Sequence, residues 1–241
     1  MRTAFVTVLA SLLLLAAEAP AADAPDPEQW VRESEAALAK VDNYTVTFHK
    51  QERVKGKLLE EETIFFKFKR PFKVYMKWVK EPFKGRETLF AEGWNDGELK
   101  AHEGGVMGII TANLDPLGSM AMKGNRHSIL DAGLEKLVKK IGANLRKGLK
   151  NNEFTLKEHP DEVVSGRKTR KVEAIYPKDK AKGYYCYRAV LNLDFEMKVP
   201  IKIQIFDWDD LLVESYLYEN LKLNAGLTDA DFDPKNPDYK F

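Results

Sequence analysis

"KFKRPFKVYMKW", residues 67–78, decides the fold. In an extended chain successive side chains point to opposite faces. Phe66, Phe68, Val74, Met76 and Trp78 therefore share one surface, while Lys67, Lys69, Lys73 and Lys77 share the other. The Arg70-Pro71 step breaks the run in its middle, as a reversal between two strands does. A sheet with one apolar and one basic face is predicted here, the basic face turned to water.

The same period extends outward on both sides. "NYTVTFHKQERV" (43–54), "EETIFFKFKR" (61–70) and "RETLFAEGW" (86–94) are rich in β-branched and aromatic residues, and Gly56, Pro71 and Gly85 punctuate them. "NDG" at 95–97 is a hairpin turn leading into "ELKAH". Strands resume at "EFTLKEH" (153–159) and continue through "RKTRKVEAIYP", "YYCYRAVLNLDFE", "IKIQIFDW" and "LVESYLYENLKLN". Leu191, Leu193 and Phe195 fall on one face, as do Ile201, Ile203 and Ile205. About nine or ten strands with few helices exclude a parallel α/β sheet and predict a mainly antiparallel β domain of the α+β class.

Two segments read as helix. "EQWVRESEAALAKV" (28–41) places Trp30, Val31, Ser34, Ala37, Leu38 and Val41 at helical spacing. Ser128 and Asp131 resemble a helix cap, and Leu130, Leu134, Leu137, Val138, Ile141, Leu145 and Leu149 form an apolar stripe running to about Lys147. Between them, "EGGVMGIITANLDPLGSMAMKGNRHS" (103–128) has many glycines and no sustained period, so it reads as a long loop. The chain is thus one domain, residues 23–241, with a loop-and-helix insertion at about 103–150.

Composition narrows the function. A short basic start, an apolar run through "FVTVLASLLLLAA" and an Ala-Pro-Ala step read as a cleavable export signal over residues 1–22. The protein is therefore expected to be periplasmic or secreted. Its removal takes one base, Arg2, and one acid, Glu18, so the net charge stays at +1. That balance gives no global field for nucleic acid and leaves only transient membrane contact. The lone cysteine, Cys186, excludes an intrachain disulfide and reads as a small buried hydrophobe. Lysine-rich outer faces exclude an integral outer-membrane barrel, because they would meet hydrocarbon.

Catalytic and metal chemistry leave no clear trace. His49, His102, His127 and His159 stand far apart without ligand spacing, so no metal or other cofactor is expected. His127 with Ser128 and Asp131 lacks the surroundings of a nucleophile elbow, and Ser128 is better explained as a cap. The protein is expected not to be an enzyme. "GNRH" (124–127) is the most concentrated polar signature, and Asn125, Arg126 and His127 are read as anchors tying the long loop to the body. Asp207, Asp209 and Asp210 form a hairpin turn rather than a cation site.

Arg70-Pro71, the strand ending Lys77-Trp78 and then Pro82 resemble the "RP…RW…P" stretch of the LolA-type periplasmic lipoprotein carriers. "LFAEGWNDGELKAHEG" is similar to their Asp-Gly hairpin, and Asn224, Asp231, Phe232 and Pro237 fall where their closing pattern has an Asn, an Asp-bearing turn, Phe and Pro. "NLDPLGSMAMKGNRHSILDAGL" and "ESYLYENLKLNAGLTDADFD" resemble the central and C-terminal segments of an uncharacterised bacterial family of secreted LolA-like proteins. The resemblance implies an unclosed antiparallel β-barrel, a half-barrel of LolA/LolB type with a helical lid.

In such a fold Phe66, Phe68, Val74, Met76, Trp78, Leu191, Leu193 and Ile203 would face an apolar cavity, and Arg70 would hold the lid or gate cargo near the mouth. The insertion at 103–150 is longer than a plain carrier hairpin, so the fold carries over and the cargo does not. The expected role is a soluble exported protein that shelters a lipid or acylated ligand, with a place in lipid or lipoprotein trafficking. The alternative is a cell-envelope structural or sensing module with a filled core that binds a protein partner.

Overall fold

The computed structural model describes residues 26–105 and 110–241. The export-signal reading at 1–22 lies outside the described residues.

Helix α1 (Pro27–Leu38) comes first, its N-terminus capped by the Asp26 carboxylate, which accepts the Glu28 amide at 3.0 Å. Strands β1 (Asn43–Val54), β2 (Lys57–Leu58), β3 (Glu62–Lys69), β4 (Lys73–Trp78), β5 (Glu87–Ala91), β6 (Leu99–His102) and β7 (Thr111–Leu114) follow. After helix α2 (Leu134–Asn151) come β8 (Thr155–Val164), β9 (Arg167–Ile175), β10 (Arg188–Asp194), β11 (Pro200–Phe206) and β12 (Leu212–Leu223). All but β2 lie along one antiparallel sheet in the order β7-β6-β5-β4-β3-β1-β12-β11-β10-β9-β8, with β2 paired to β1 alone. The additional strands relative to the sequence reading include β2, two residues long, and β7, which forms inside the segment read as loop.

This order determines where the helices go. The first and last strands pair at the centre, Phe48 opposite Tyr218, while β7 and β8 stand at opposite edges and are not paired with each other. The chain between β7 and β8 must cross from edge to edge, and α2 lies in that crossing. It closes the concave face without closing the barrel.

The opening stretch pairs as its parity dictates. Ile64, Phe66 and Phe68 stand opposite Trp78, Met76 and Val74, while Phe65, Lys67 and Lys69 stand opposite Lys77, Tyr75 and Lys73. The first set meets the main core. The second face is not simply wet, contrary to the sequence reading. The chain after β12 folds back over it, burying Tyr75 and Leu89 against Phe232 with Trp94, Leu227, Tyr239 and Phe241 around them. The Tyr239 ring stacks on Tyr75 with centroids 3.9 Å apart. Each lysine finds an acid: Lys67 with Asp231 at 2.9 Å, Lys69 with Asp42 at 3.3 Å, Lys73 with Asp229 at 2.8 Å and Lys77 with Glu87 at 3.0 Å.

Helix α2 begins later than its sequence cap. Ser128 Oγ accepts the Leu130 amide at 3.2 Å and starts only a 3-10 turn, Ile129–Asp131. The α-helical stretch opens at Leu134, whose amide donates to the Tyr44 hydroxyl of β1 at 3.0 Å. Its buried line runs Leu134, Val138, Gly142, Leu145, Gly148, whereas Leu149 is exposed. Gly142 marks the crossing with α1, since a Cβ there would stand 2.8 Å from Val31 Cγ1. Arg146 fastens the pair from outside, reaching Glu28 at 2.9 Å and Glu35 at 2.9 Å. Asn224 ties the central strands to the end of α1, accepting the Asp42 amide at 2.8 Å and donating to the Lys40 carbonyl at 3.2 Å.

Candidate functional site

Between the concave sheet face and the helices lies a cavity of about 660 Å³. Inward rows from both halves of the sheet wall it, Phe66, Met76 and Trp78 on one side and Ala189, Leu191 and Leu193 on the other. Val31 and Trp30 of α1 and Leu137, Val138 and Ile141 of α2 form the roof. The volume falls in the range of ligand pockets and the lining is mainly apolar, so most of the space suits an apolar guest.

Five of the eight residues assigned from sequence to a cavity border it: Phe66, Met76, Trp78, Leu191 and Leu193. Phe68, Val74 and Ile203 do not, and this corrects the expectation. Val74 and Ile203 are wholly buried, and Phe68 is packed between Tyr44 and Phe72 beneath the turn into α2, with ring centroids at 5.1 and 6.0 Å. Parity identifies the face a residue lies on, but the height of the helices above each row decides whether space remains.

Arg70 also stands away from the cavity. Its Nε donates to the Val41 carbonyl at 2.8 Å and one Nη to the Leu38 carbonyl at 3.2 Å, while that Nη lies 2.7 Å from Glu135. One guanidinium thus joins the end of α1 to the start of α2. The Lys139 hydrogen bond, with Arg70 assisting, holds the Glu135 carboxyl below its ordinary range.

One end of the cavity is polar, which the sequence reading missed. Along the inward row of β1, Tyr44, Val46 and Phe48 give way to Lys50 and Glu52. Lys50 stands opposite Glu62 on β3, with Nζ and Oε1 3.1 Å apart, and Glu52 stands opposite Glu214 on β12. All four are buried. The Trp78 indole donates to Glu62 at 2.5 Å, and the Tyr216 hydroxyl donates to Glu52 at 2.5 Å. The signal was present as a change from apolar to charged residues within one period-2 row.

The "GNRH" loop closes over this end. Lys50 Nζ donates to Asn125 Oδ1 at 2.6 Å, the Arg126 amide donates to Glu52 at 2.8 Å, and Arg126 Nε donates to Glu214 Oε1 at 2.9 Å. His127 Nε2 lies 3.0 Å from the same oxygen, to which the Tyr185 hydroxyl also donates. Burial pulls the Glu214 carboxyl upward, but His127, Tyr185 and Arg126 outweigh it and hold the group below its ordinary range. Burial and the neighbouring Glu214 push the Tyr185 phenol up. Ser128 Oγ is turned away to the Pro116 carbonyl at 2.8 Å, and His127 Nδ1 is 3.9 Å from Asp131, so these three do not form a relay. In the 207–210 turn Asp207 Oδ1 accepts the amides of Asp209 and Leu211 at 3.0 Å, and Asp210 is paired with Arg188 at 2.8 Å. Burial pushes the Cys186 thiol up to about 12.

The site is thus a mainly apolar chamber between an open antiparallel sheet and two helices that roof it. Among solved structures, lipoprotein LppX of Mycobacterium tuberculosis matches at a TM-score of 0.50 and 13% identity, covering 86% of this chain and 97% of that one. A LolA superfamily protein from Nitrosomonas europaea matches at 0.38 and 10%, covering 87% and 98%. The MucA/MucB complex of Pseudomonas aeruginosa matches at 0.48 and 14%, covering 86% of this chain and 60% of its counterpart. Functionally curated proteins give no match. The chain belongs to the family described as protein of unknown function DUF1571, whose model matches residues 41–241.

Proposed function

We propose that this is an exported, non-catalytic binding protein that shelters an acyl chain or other lipid moiety in its half-barrel, in the periplasm or outside the cell, without a cofactor. The observation that carries the reading is the 660 Å³ chamber between sheet and helices, with Phe66, Met76, Leu191 and Leu193 on its walls. Burial of an apolar chain there contributes about 25 cal/mol per Å² removed from water, offset by the cost of ordering it. The shared fold with LppX, named as a lipoprotein, supports the architecture of the reading. No helix among the described residues is long and apolar enough to cross a membrane.

The test is native mass spectrometry of protein purified without detergent from its host, paired with organic extraction of the same sample. A reproducible added mass that partitions into the organic phase is expected. Met76→Asp, which places a charge on the cavity wall without removing a hydrogen bond, is expected to abolish the added mass while leaving the circular dichroism spectrum unchanged. A clean apo mass with no uptake of offered lipid overturns the reading.

A second reading, an envelope module that binds a protein partner, is favoured by the loop beside the cavity, where Ile110, Leu117 and Met120 are 52%, 67% and 70% exposed. Leu117→Ser with Met120→Ser is expected to lower partner capture under that reading and to spare lipid uptake.

A further inference from the structure

The polar end of the cavity carries more acceptors than donors. Glu52, Glu62 and Glu214 face it or support it with two permanent cations between them, Lys50 and Arg126, while His127 adds a charge only when protonated. Both permanent cations are already turned onto carboxylates. Glu52 uses both oxygens, one for Tyr216 and one for the Arg126 amide. Glu62 does the same, with Lys50 and Trp78.

Glu214 is different. Its side chain is 3% exposed and borders the cavity, yet Arg126, His127 and Tyr185 all meet Oε1. Among the described residues Oε2 receives no hydrogen bond. Oε2 is not sealed away from solvent either, so it is a carboxylate oxygen open to the space that Glu214 borders and free to accept a hydrogen bond from a ligand's head. Aromatic faces stand at the same end, since Phe48, Tyr216 and Trp78 also border the cavity and the Phe48 and Tyr216 centroids are 5.4 Å apart. A positive nitrogen is attracted to such faces. Elsewhere on the lining, Arg86 is paired with Glu103 at 2.9 Å and Lys140 with Asp131 at 3.3 Å, and Lys123 is exposed to water.

From this juxtaposition we infer that the cavity selects an amphiphile whose head bears an ammonium group, seated against Glu214 Oε2 with the tail along Phe66, Met76 and Leu191. The inference rests on the proposed lipid-binding function and names the ligand class of the same site. An anionic head meets an excess of buried carboxylate there and is disfavoured.

The test uses delipidated mature protein and displacement of an apolar dye by dodecylammonium, dodecanol and dodecanoate, each below its micelle-forming concentration. Dodecylammonium is expected to displace at about tenfold lower concentration than dodecanoate, as one partly screened charge contact provides. Glu214→Gln is expected to shrink that ratio to about threefold or less while leaving dodecanol unchanged. Tyr185→Phe, which frees Oε1 of one donor and serves if the first variant does not fold, is expected to widen it. Equal or tighter dodecanoate binding, or a ratio indifferent to both variants, overturns the head-group inference and leaves lipid binding standing. Failure of the dye and all three probes to bind overturns the lipid-binding function itself. Lysophosphatidylethanolamine and a palmitoylated lysine peptide, compared as competitors, then separate a lipid source of the ammonium from an acylated polypeptide.

Discussion

Tyr44 stands buried on the concave face, stacked on Phe68, and its hydroxyl receives the first amide of α2. Tyr44→Phe keeps the ring and strands that amide, so a loss of about 1–2 kcal/mol is expected in urea unfolding. Asp194 makes a different kind of contribution. Its side chain is 1% exposed, accepts the amides of Glu196 and Met197 at 2.9 and 2.8 Å, and is paired with Arg167. Burial opposes its charge, but Arg167 and the two amides prevail and hold its pKa below the ordinary 3.8. A carboxyl depressed in the folded state contributes stability above its unfolded pKa and loses it as pH falls through the folded one. Stability is therefore expected to drop on acidification below about pH 4, and Asp194→Asn to flatten that limb in a denaturation series. Neither residue stood out in the sequence. An inward Tyr and a strand-end Asp look ordinary until a distant amide is brought to them.

Among the elements, α2 was legible by its apolar stripe but not by its ends. The sequence cap at Ser128 starts a 3-10 turn, and the α-helical stretch begins at Leu134 where the sheet supplies a hydroxyl. It passes close to α1 at Gly142, where a Cβ would run into Val31. Gly142→Leu is expected to separate the two helices and to cost about 1–3 kcal/mol, read as a lowered urea midpoint with the slope unchanged. The strands from Tyr44 to Trp78 follow the parity of their side chains almost residue for residue. What parity missed was the cover on the far face, because Tyr239 and Phe241 lie in a tail without period and only the folded chain brings them over Tyr75.

At the scale of the molecule, stability is graded across the sheet. β1, β3 and β12 are central, and β7 and β8 are edges with one neighbour each. Amide exchange is expected to be slowest at Val46, Phe66 and Tyr218 and fastest at Ala112 and Lys157, and uniform protection across the sheet would contradict the order. The half-barrel class was legible from the strand-rich pattern and the Arg70-Pro71 stretch. The chamber was legible only as a face, since its polar end is assembled from β1, β3, β12 and the 125–127 loop, far apart in the chain. The pairing of β1 with β12 also has a consequence for biosynthesis. A ribosome makes residues 43–54 well before residues 212–223, so one flank of β1 has no mate while every strand between them is being extended. Nascent intermediates present that bare row of amides and carbonyls to any chaperone that grips extended peptide, and only the emergence of β12 delivers the strand that displaces it.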